Sequence, residues 1–337
     1  MSRRAVLPAA LVLALVASIA AGAGTSHGAA RLKVAYVTDF GARPSPHDLR
    51  GAALLGFRRA VGRFRVQARV AEFPPAQDAG PTLEQLAGQR YDLIMIGEVR
   101  SGFDLERVLA VARRFPHTKF VLADPPLLER WPKNVQGSIW HVEQPAYLAG
   151  YLSALMVRRG GRKAVGSVGG FPIVSVNSFI AGFDAGAKSA DPKIATLRAY
   201  AQDFLNADKC KSVALNEIAR GAGALLNVAG LCGLGTLAAA KTKGVWGIGV
   251  DVDQSFLGPY VLTSVLKRFD VQVYDTVQAL VQGRLRTGGN AVWDLRNGAV
   301  GLGKVSPEVP KSVVRRIDLV RARIAAGTIQ VPSRLVS

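Results

Sequence analysis

Residues Ala224–Val250 read ALLNVAGLCGLGTLAAAKTKGVWGIGV, and they decide the architecture. The stretch opens on one short apolar run, Ala224–Val228, and closes on another, Val245–Val250. Near-continuous apolar strands of this kind are covered on both faces. Between them a glycine-rich turn, Gly233-Leu-Gly235, opens a helix. Strand, helix, strand is the repeating unit of a parallel sheet.

The same alternation extends outward. Short β-rich runs stand at Leu32–Val37, Arg65–Glu72, Tyr91–Ile96 and Lys119–Ala123, then at Lys163–Val168 and Ile194–Tyr200. Helical spacing is clearest over Glu143–Arg159, where Tyr147, Leu148, Tyr151, Leu152, Leu155 and Met156 share one face. Phe179, Phe183 and Ala187 mark another such face, and Val273, Val277 and Leu280 a third. Beyond Val250 come a strand over Val261–Leu266, a helix over Asp270–Gly283 and a final helix over roughly 308–326. A folded chain of about 310 residues exceeds what one core supports, so two α/β lobes are expected. The first takes residues 31–142 with 268–299, and the second 143–267 with 300–337. Ligands of such sheets bind outside the carboxyl ends of the strands. Two lobes set two such edges face to face, making a cleft that closes by hinge motion.

At the N-terminus Arg3 and Arg4 precede an apolar run, Ala5–Ala21, and the small residues Ala21-Gly22-Ala23. Basic, apolar, small is the order of a secretory signal peptide. The run is at the short end of a bilayer span, so residues 1–30 are read as a cleaved leader rather than an anchor. No cysteine lies near the cut, and the product is expected outside the cytoplasm (periplasmic or extracellular) without a lipid anchor. Removing the leader lowers the charge from +19 to about +17. Dense basic groups, Arg58-Arg59 with Arg63 and Arg158-Arg159 with Arg162 and Lys163, fall at helix ends, where they face the negative end of the dipole. No aromatic residues interleave them, so a solvated basic surface is expected and no nucleic-acid partner. Cys210 and Cys232 are an even pair in an exported chain and suggest a disulfide worth on the order of 3 kcal/mol. Two separate buried thiols are the alternative. His27, His47, His117 and His141 are scattered, so no metal cluster and no cofactor are expected.

An enzyme is not expected. Gly233-Leu-Gly235-Thr-Leu-Ala238, followed by Asp251 and Asp253, has the outline of a dinucleotide fingerprint. It falls mid-chain, after a complete first lobe. The same glycines equally let backbone approach a ligand at a helix N-terminus. There is no G-x-S-x-G, P-loop or H-E-x-x-H motif. A nucleoside hydrolase needs an aspartate cluster near its N-terminus, where this chain has Asp39 alone.

Five segments together resemble a known family. They are KVAYVTDFG (Lys33–Gly41), EQPAYLAGYLSALM (Glu143–Met156), GGFPIVSVNSFIAGFDAGAK (Gly169–Lys188), AGLCGLGTLAAAKTKGVWGIGVDVDQ (Ala229–Gln254) and VLTSVLKRFDVQVYD (Val261–Asp275). The chain is similar to the basic membrane protein family of bacterial solute-binding proteins, which includes purine nucleoside receptors. The resemblance implies a type I periplasmic-binding-protein fold, with a parallel sheet flanked by helices in each lobe. It also implies a nucleoside-like small molecule in the cleft, capture without chemistry, and delivery by a monomer to an ABC permease. A receptor that signals to a membrane partner would look the same.

The resemblance assigns residues too. Asp39 matches the aspartate that hydrogen-bonds the base, and its alternative is a turn cap. Phe204 matches the ring that stacks on the base, or else packs as an ordinary loop phenylalanine. Asp251 matches the carboxylate for the ribose hydroxyls. Lys267 matches the lysine that reaches the sugar, or neutralises Asp251. Gly230 joins the ligand set. The departure is ARPSPHDLRG (Ala42–Gly51), which replaces a family segment resembling DKSFNQ. Here His47 and Asp48 are expected to read the ligand, with Asp48 as a helix N-cap the other possibility.

Overall fold

The structure is a computed structural model that describes residues 31–335, apart from 40–44, 46, 74–77, 98–103 and 127. The expected leader and much of the departing loop therefore lie outside the described residues. The first half of the chain runs through Lys33–Asp39 (β1), Leu49–Phe64 (α1), Gln67–Phe73 (β2), Gly80–Gly88 (α2), Leu93–Ile96 (β3), Leu105–Arg114 (α3), Lys119–Leu122 (β4) and Val135–Trp140 (β5). Next come Glu143–Arg159 (α4), Ala164–Gly169 (β6), Val174–Ala190 (α5), Ala195–Tyr200 (β7), Ala207–Ala219 (α6), Ala222–Val228 (β8), Gly233–Lys243 (α7) and Trp246–Asp251 (β9). A 3₁₀ turn at Ser255–Leu257 precedes Val261–Lys267 (β10), Phe269–Val281 (α8), Gly289–Trp293 (β11), Val300–Leu302 (β12) and Lys311–Ala325 (α9).

The strands form two six-stranded sheets, ordered β11-β5-β4-β3-β1-β2 and β12-β10-β9-β8-β6-β7. Every pairing is parallel except β10 with β12. The chain leaves the first sheet after β5 and returns to it with α8 and β11. It then ends on the second sheet with β12 and α9. The central strands of each sheet are buried on both faces. Leu83, Ile94 and Phe120 belong to the core on one face of the first sheet, Tyr36, Phe57 and Phe269 to that on the other. Val165, Phe183 and Ile248 fill one side of the second sheet, and Cys210, Leu225 and Ala240 the other.

Two helix contacts show how the sequence sets the packing. Gly150 of α4 lies against the Phe183 carbonyl of α5, and Gly186 of α5 against the Tyr147 carbonyl of α4. A methyl group at either place would collide with backbone, so AYLAGYL and IAGFDAGAK are built for close helix approach. The same logic places Gly56 of α1 on the Asp270 backbone of α8, which ties the returning helix to the first sheet.

Three strands, β5, β11 and β12, carry no clear sequence signal. β5 reads VQGSIW, and its polar residues are satisfied by distant backbone: Gln136 Nε2 donates to Arg286 O and Ser138 Oγ to Leu122 O. β12 has only 3 residues and runs antiparallel at the edge.

Candidate functional site

Parallel pairing gathers the carboxyl ends of β1, β3 and β4 on one edge of the first sheet, and those of β6 to β10 on one edge of the second. Side chains from the two edges meet. Lys267, the last residue of β10, donates from Nζ to Asp124 Oδ2 at 2.6 Å, and Asp124 follows β4. The lysine side chain is only 7% exposed, and its ammonium stands 5.3 Å from the ring centroids of Trp140 and Phe269. An aromatic face and a carboxylate together make burial of a lysine tolerable.

Asp251 ends β9, beside β10, with Leu266 as its register partner. Its φ of 69° lies in the left-handed region, unusual for a residue with a side chain. The Val252 amide donates to the Val250 carbonyl at 2.8 Å, so Asp251 is the centre of a tight three-residue turn. Such a conformation costs about 1–3 kcal/mol and persists where surrounding structure enforces it. Gln254 does so here: its Oε1 accepts from Val250 N at 3.1 Å and from Asn227 Nδ2 at 3.3 Å. Burial pushes the Asp251 carboxyl up, Lys267 draws it down and Asp124 raises it, which together leave it at about 6. Asp124 thus pairs with the ammonium, and Asp251 lies near enough for both charges to act on its carboxyl. When ionised the two carboxylates offer acceptors for neighbouring hydroxyl groups, and the ammonium offers donors.

The aromatic part lies on adjacent connections of the second sheet. Phe204, after β7, packs on Phe171, after β6, with centroids 5.2 Å apart at 58°. The Phe204 carbonyl accepts from Cys232 N at 3.0 Å. Gly230, with φ of 55°, passes so close that a Cβ there would stand 3.2 Å from that carbonyl. The Cys210–Cys232 disulfide, with Cα atoms 5.5 Å apart, ties α6 to the start of α7 beside this loop. Phe204, Gly230 and the disulfide therefore form one braced unit.

His47 and Phe256 supply a second contact between the two halves. His47 precedes α1, Phe256 sits in the 3₁₀ turn after β9, and their rings stack 3.9 Å apart at 29°. Both rings are exposed, Phe256 by 52%. Asp48 is engaged otherwise. Its Oδ1 accepts from Gly51 N at 2.7 Å and its Oδ2 from Ser45 N at 3.0 Å, so it is the N-cap of α1. Asp39 closes β1 opposite Phe73 on β2.

Asp124, Phe171, Trp140 and Phe256 join this region without having been singled out in the sequence. Asp124 carried a readable signal, since FVLAD puts an acid just past a strand as VTD and GVD do. Phe256 carried none. Among the described residues no group of three or more His, Cys, Asp or Glu could hold a metal ion. No described helix is long and apolar enough to cross a membrane.

Residues 52–334 match the family model described as ABC transporter substrate-binding protein PnrA-like. The chain belongs to this family. The chain is 30% identical over 254 residues to the ABC transporter nucleoside-binding protein BmpA of Lactococcus lactis, covering 69% of this chain and 70% of that one. It is 29% identical over 262 residues to the CD4+ T-cell-stimulating antigen of Listeria monocytogenes, covering 70% and 72%. Among solved structures it resembles an ABC transporter solute-binding protein from Aeropyrum pernix, at 23% identity and a TM-score of 0.72, over 90% of this chain and 94% of that one. The last likeness establishes the fold, a two-sheet α/β periplasmic-binding-protein architecture. Family membership makes this chain an ABC-type substrate-binding protein.

Proposed function

We propose that this protein captures a nucleoside-like small molecule between its two lobes and presents it to the membrane permease of an ABC importer, without breaking a bond. The observation that carries the reading is the Asp124–Lys267–Asp251 group where the two sheet edges meet. Carboxylates around one lysine suit the hydroxyls of a sugar, because each carboxylate accepts from two neighbouring hydroxyls. Phe204 and Phe171 present ring faces suited to a planar base. Asp39 is assigned to the base by the family resemblance alone, while His47 with Phe256 closes over the entrance. The name of the Lactococcus relative supports the nucleoside class. The reading places the protein outside the cytoplasm as a monomer.

Capture works by closure. Lys267 and Asp124 come from different sheets, and so do His47 and Phe256, so each pair exists only when the edges approach. A ligand that touches both edges stabilises that approach, and a permease can read the result. The test is a thermal-shift series on ligand-stripped protein with nucleosides, free bases and pentoses. A rise in Tm confined to nucleosides supports the reading. A larger rise with free sugars or amino acids, and none with nucleosides, removes it.

A further inference from the structure

Several exposed cations of the second lobe are gathered by its topology. In a parallel sheet every helix returns the chain to the amino edge, opposite the edge that bears Asp251 and Lys267. The returns from α4 to β6, α5 to β7, α6 to β8 and α7 to β9 therefore lie side by side. Arg162 and Lys163 precede β6, Lys193 precedes β7, Arg220 precedes β8, and Lys241 with Lys243 precedes β9; all are exposed. Arg158 and Arg159 add to them from the last turn of α4. The acids in the same stretches are Asp191 and the fully buried Glu217.

Helix dipoles account for cations in a last turn, such as Arg158, Arg159, Lys241 and Lys243. They do not account for Lys163 and Lys193, which lie beyond the helix ends. Lys163, Lys193 and Lys243 form no ion pair with any described residue. Clustered, unpaired cations on one face attract a surface of fixed negative charge. The rings at this edge, Trp246 and Tyr260, are half-buried rather than presented for base stacking, and Lys241 lies 5.9 Å over the Tyr260 ring. That favours a plane of phosphate headgroups over a nucleic-acid strand.

We propose that the amino edge of the second sheet is a docking face for an anionic phospholipid surface. It holds the protein beside the membrane by electrostatics, at the pole remote from the ligand edge. The contact is independent of the ligand assignment.

The test is sedimentation of the purified protein with vesicles of phosphatidylcholine alone or with a third of phosphatidylglycerol. Lys163→Glu/Lys193→Glu/Lys243→Glu is compared with Arg315→Glu/Arg321→Glu/Arg323→Glu on α9, which changes the charge equally at another place. The expected result is binding to the anionic vesicles only, weakened at least about tenfold by the first variant and about twofold by the second. Binding should also be lost between about 50 mM and 500 mM salt. The corresponding Lys→Gln variant, checked by circular dichroism, keeps the comparison valid if charge reversal disturbs folding; it should lose about half of the effect on a logarithmic scale. Equal loss in the two charge-reversal variants overturns the proposal, as does equal binding to neutral vesicles. No binding to either vesicle overturns it too, and so does displacement from anionic vesicles by a stoichiometric amount of short DNA duplex.

Discussion

Lys267 and Asp124 belong to different sheets yet lie 2.6 Å apart, with the lysine buried and the aspartate 40% exposed. Asp251 senses both: the lysine lowers its proton affinity and Asp124 raises it. Asp124→Asn should therefore bring the Asp251 titration below about 6, and Lys267→Met should move it above. Carbon-detected NMR titration of the Asp251 carboxyl checks both directions. Asp124→Asn should also weaken ligand binding by about tenfold, because it takes the negative charge out of the contact between the closing edges.

Proton linkage at Asp251 predicts how affinity depends on pH. The carboxyl must be ionised to accept from two hydroxyls, and burial holds it up to about 6 in the unliganded protein. Affinity for a nucleoside should then be steady above pH 7 and fall by about tenfold per pH unit well below pH 6. Isothermal titration across this range would show it. An affinity that does not change with pH would mean the carboxylate makes no such contact.

Glu217 offers a separate test of the fold. Both of its oxygens are buried without a hydrogen-bond partner, over Gly166 on β6. Burial raises its carboxyl from 4.5 to about 8. A raised folded-state pKa means that the native state holds the proton longer than the unfolded chain. Stability tied to this group is fully present below pH 4.5 and is lost as pH rises towards about 8. Glu217→Gln should stabilise the protein by on the order of 3 kcal/mol at pH 8 and much less at pH 4.5. Denaturant melts at several pH values measure the gap.

The disulfide braces the aromatic side of the site. Cys210→Ala/Cys232→Ala should cost about 3 kcal/mol of stability, because the unfolded chain regains its freedom. The double variant should also bind more weakly than its remaining stability explains, since the Phe204 carbonyl is held by the Cys232 amide. Comparing binding well below both melting temperatures separates the two effects.

His47→Ala removes one ring of the exposed stack with Phe256. A stack of this kind is worth about 0.5–1.5 kcal/mol. Ligand dissociation should therefore speed up by about two- to tenfold with little change in melting temperature. Stopped-flow displacement measures it.

Much of this was legible in the sequence because parallel sheets write themselves plainly. The run at Ala224–Val228 lies within β8, that at Val245–Val250 overlaps β9, and α4 spans Glu143–Arg159 as its one-face pattern requires. β5, β11 and β12 were not legible, because they use polar or very few residues and are held by backbone pairing across the chain. The site shows the same division. Asp251 and Lys267 could be named from the sequence because each ends an apolar strand. Lys267 meets Asp124 across 143 residues, and no local pattern reports such a partner. Asp48 had two local readings, and its carboxylate is taken up by the cap. His47 was noticed, but Phe256 gives its position meaning, and that ring comes from the other sheet.

The most direct test is calorimetric titration of ligand-stripped protein with a nucleoside and with its free base, on the unaltered chain and on Asp251→Asn. Asparagine tolerates positive φ, so the turn at Asp251 should persist in the variant. The expected result is saturable binding of the nucleoside, at least about tenfold weaker binding of the free base, and a similar loss in Asp251→Asn. No heat from any nucleoside with folded, stripped protein would contradict it, as would nucleoside binding that Asp251→Asn leaves untouched.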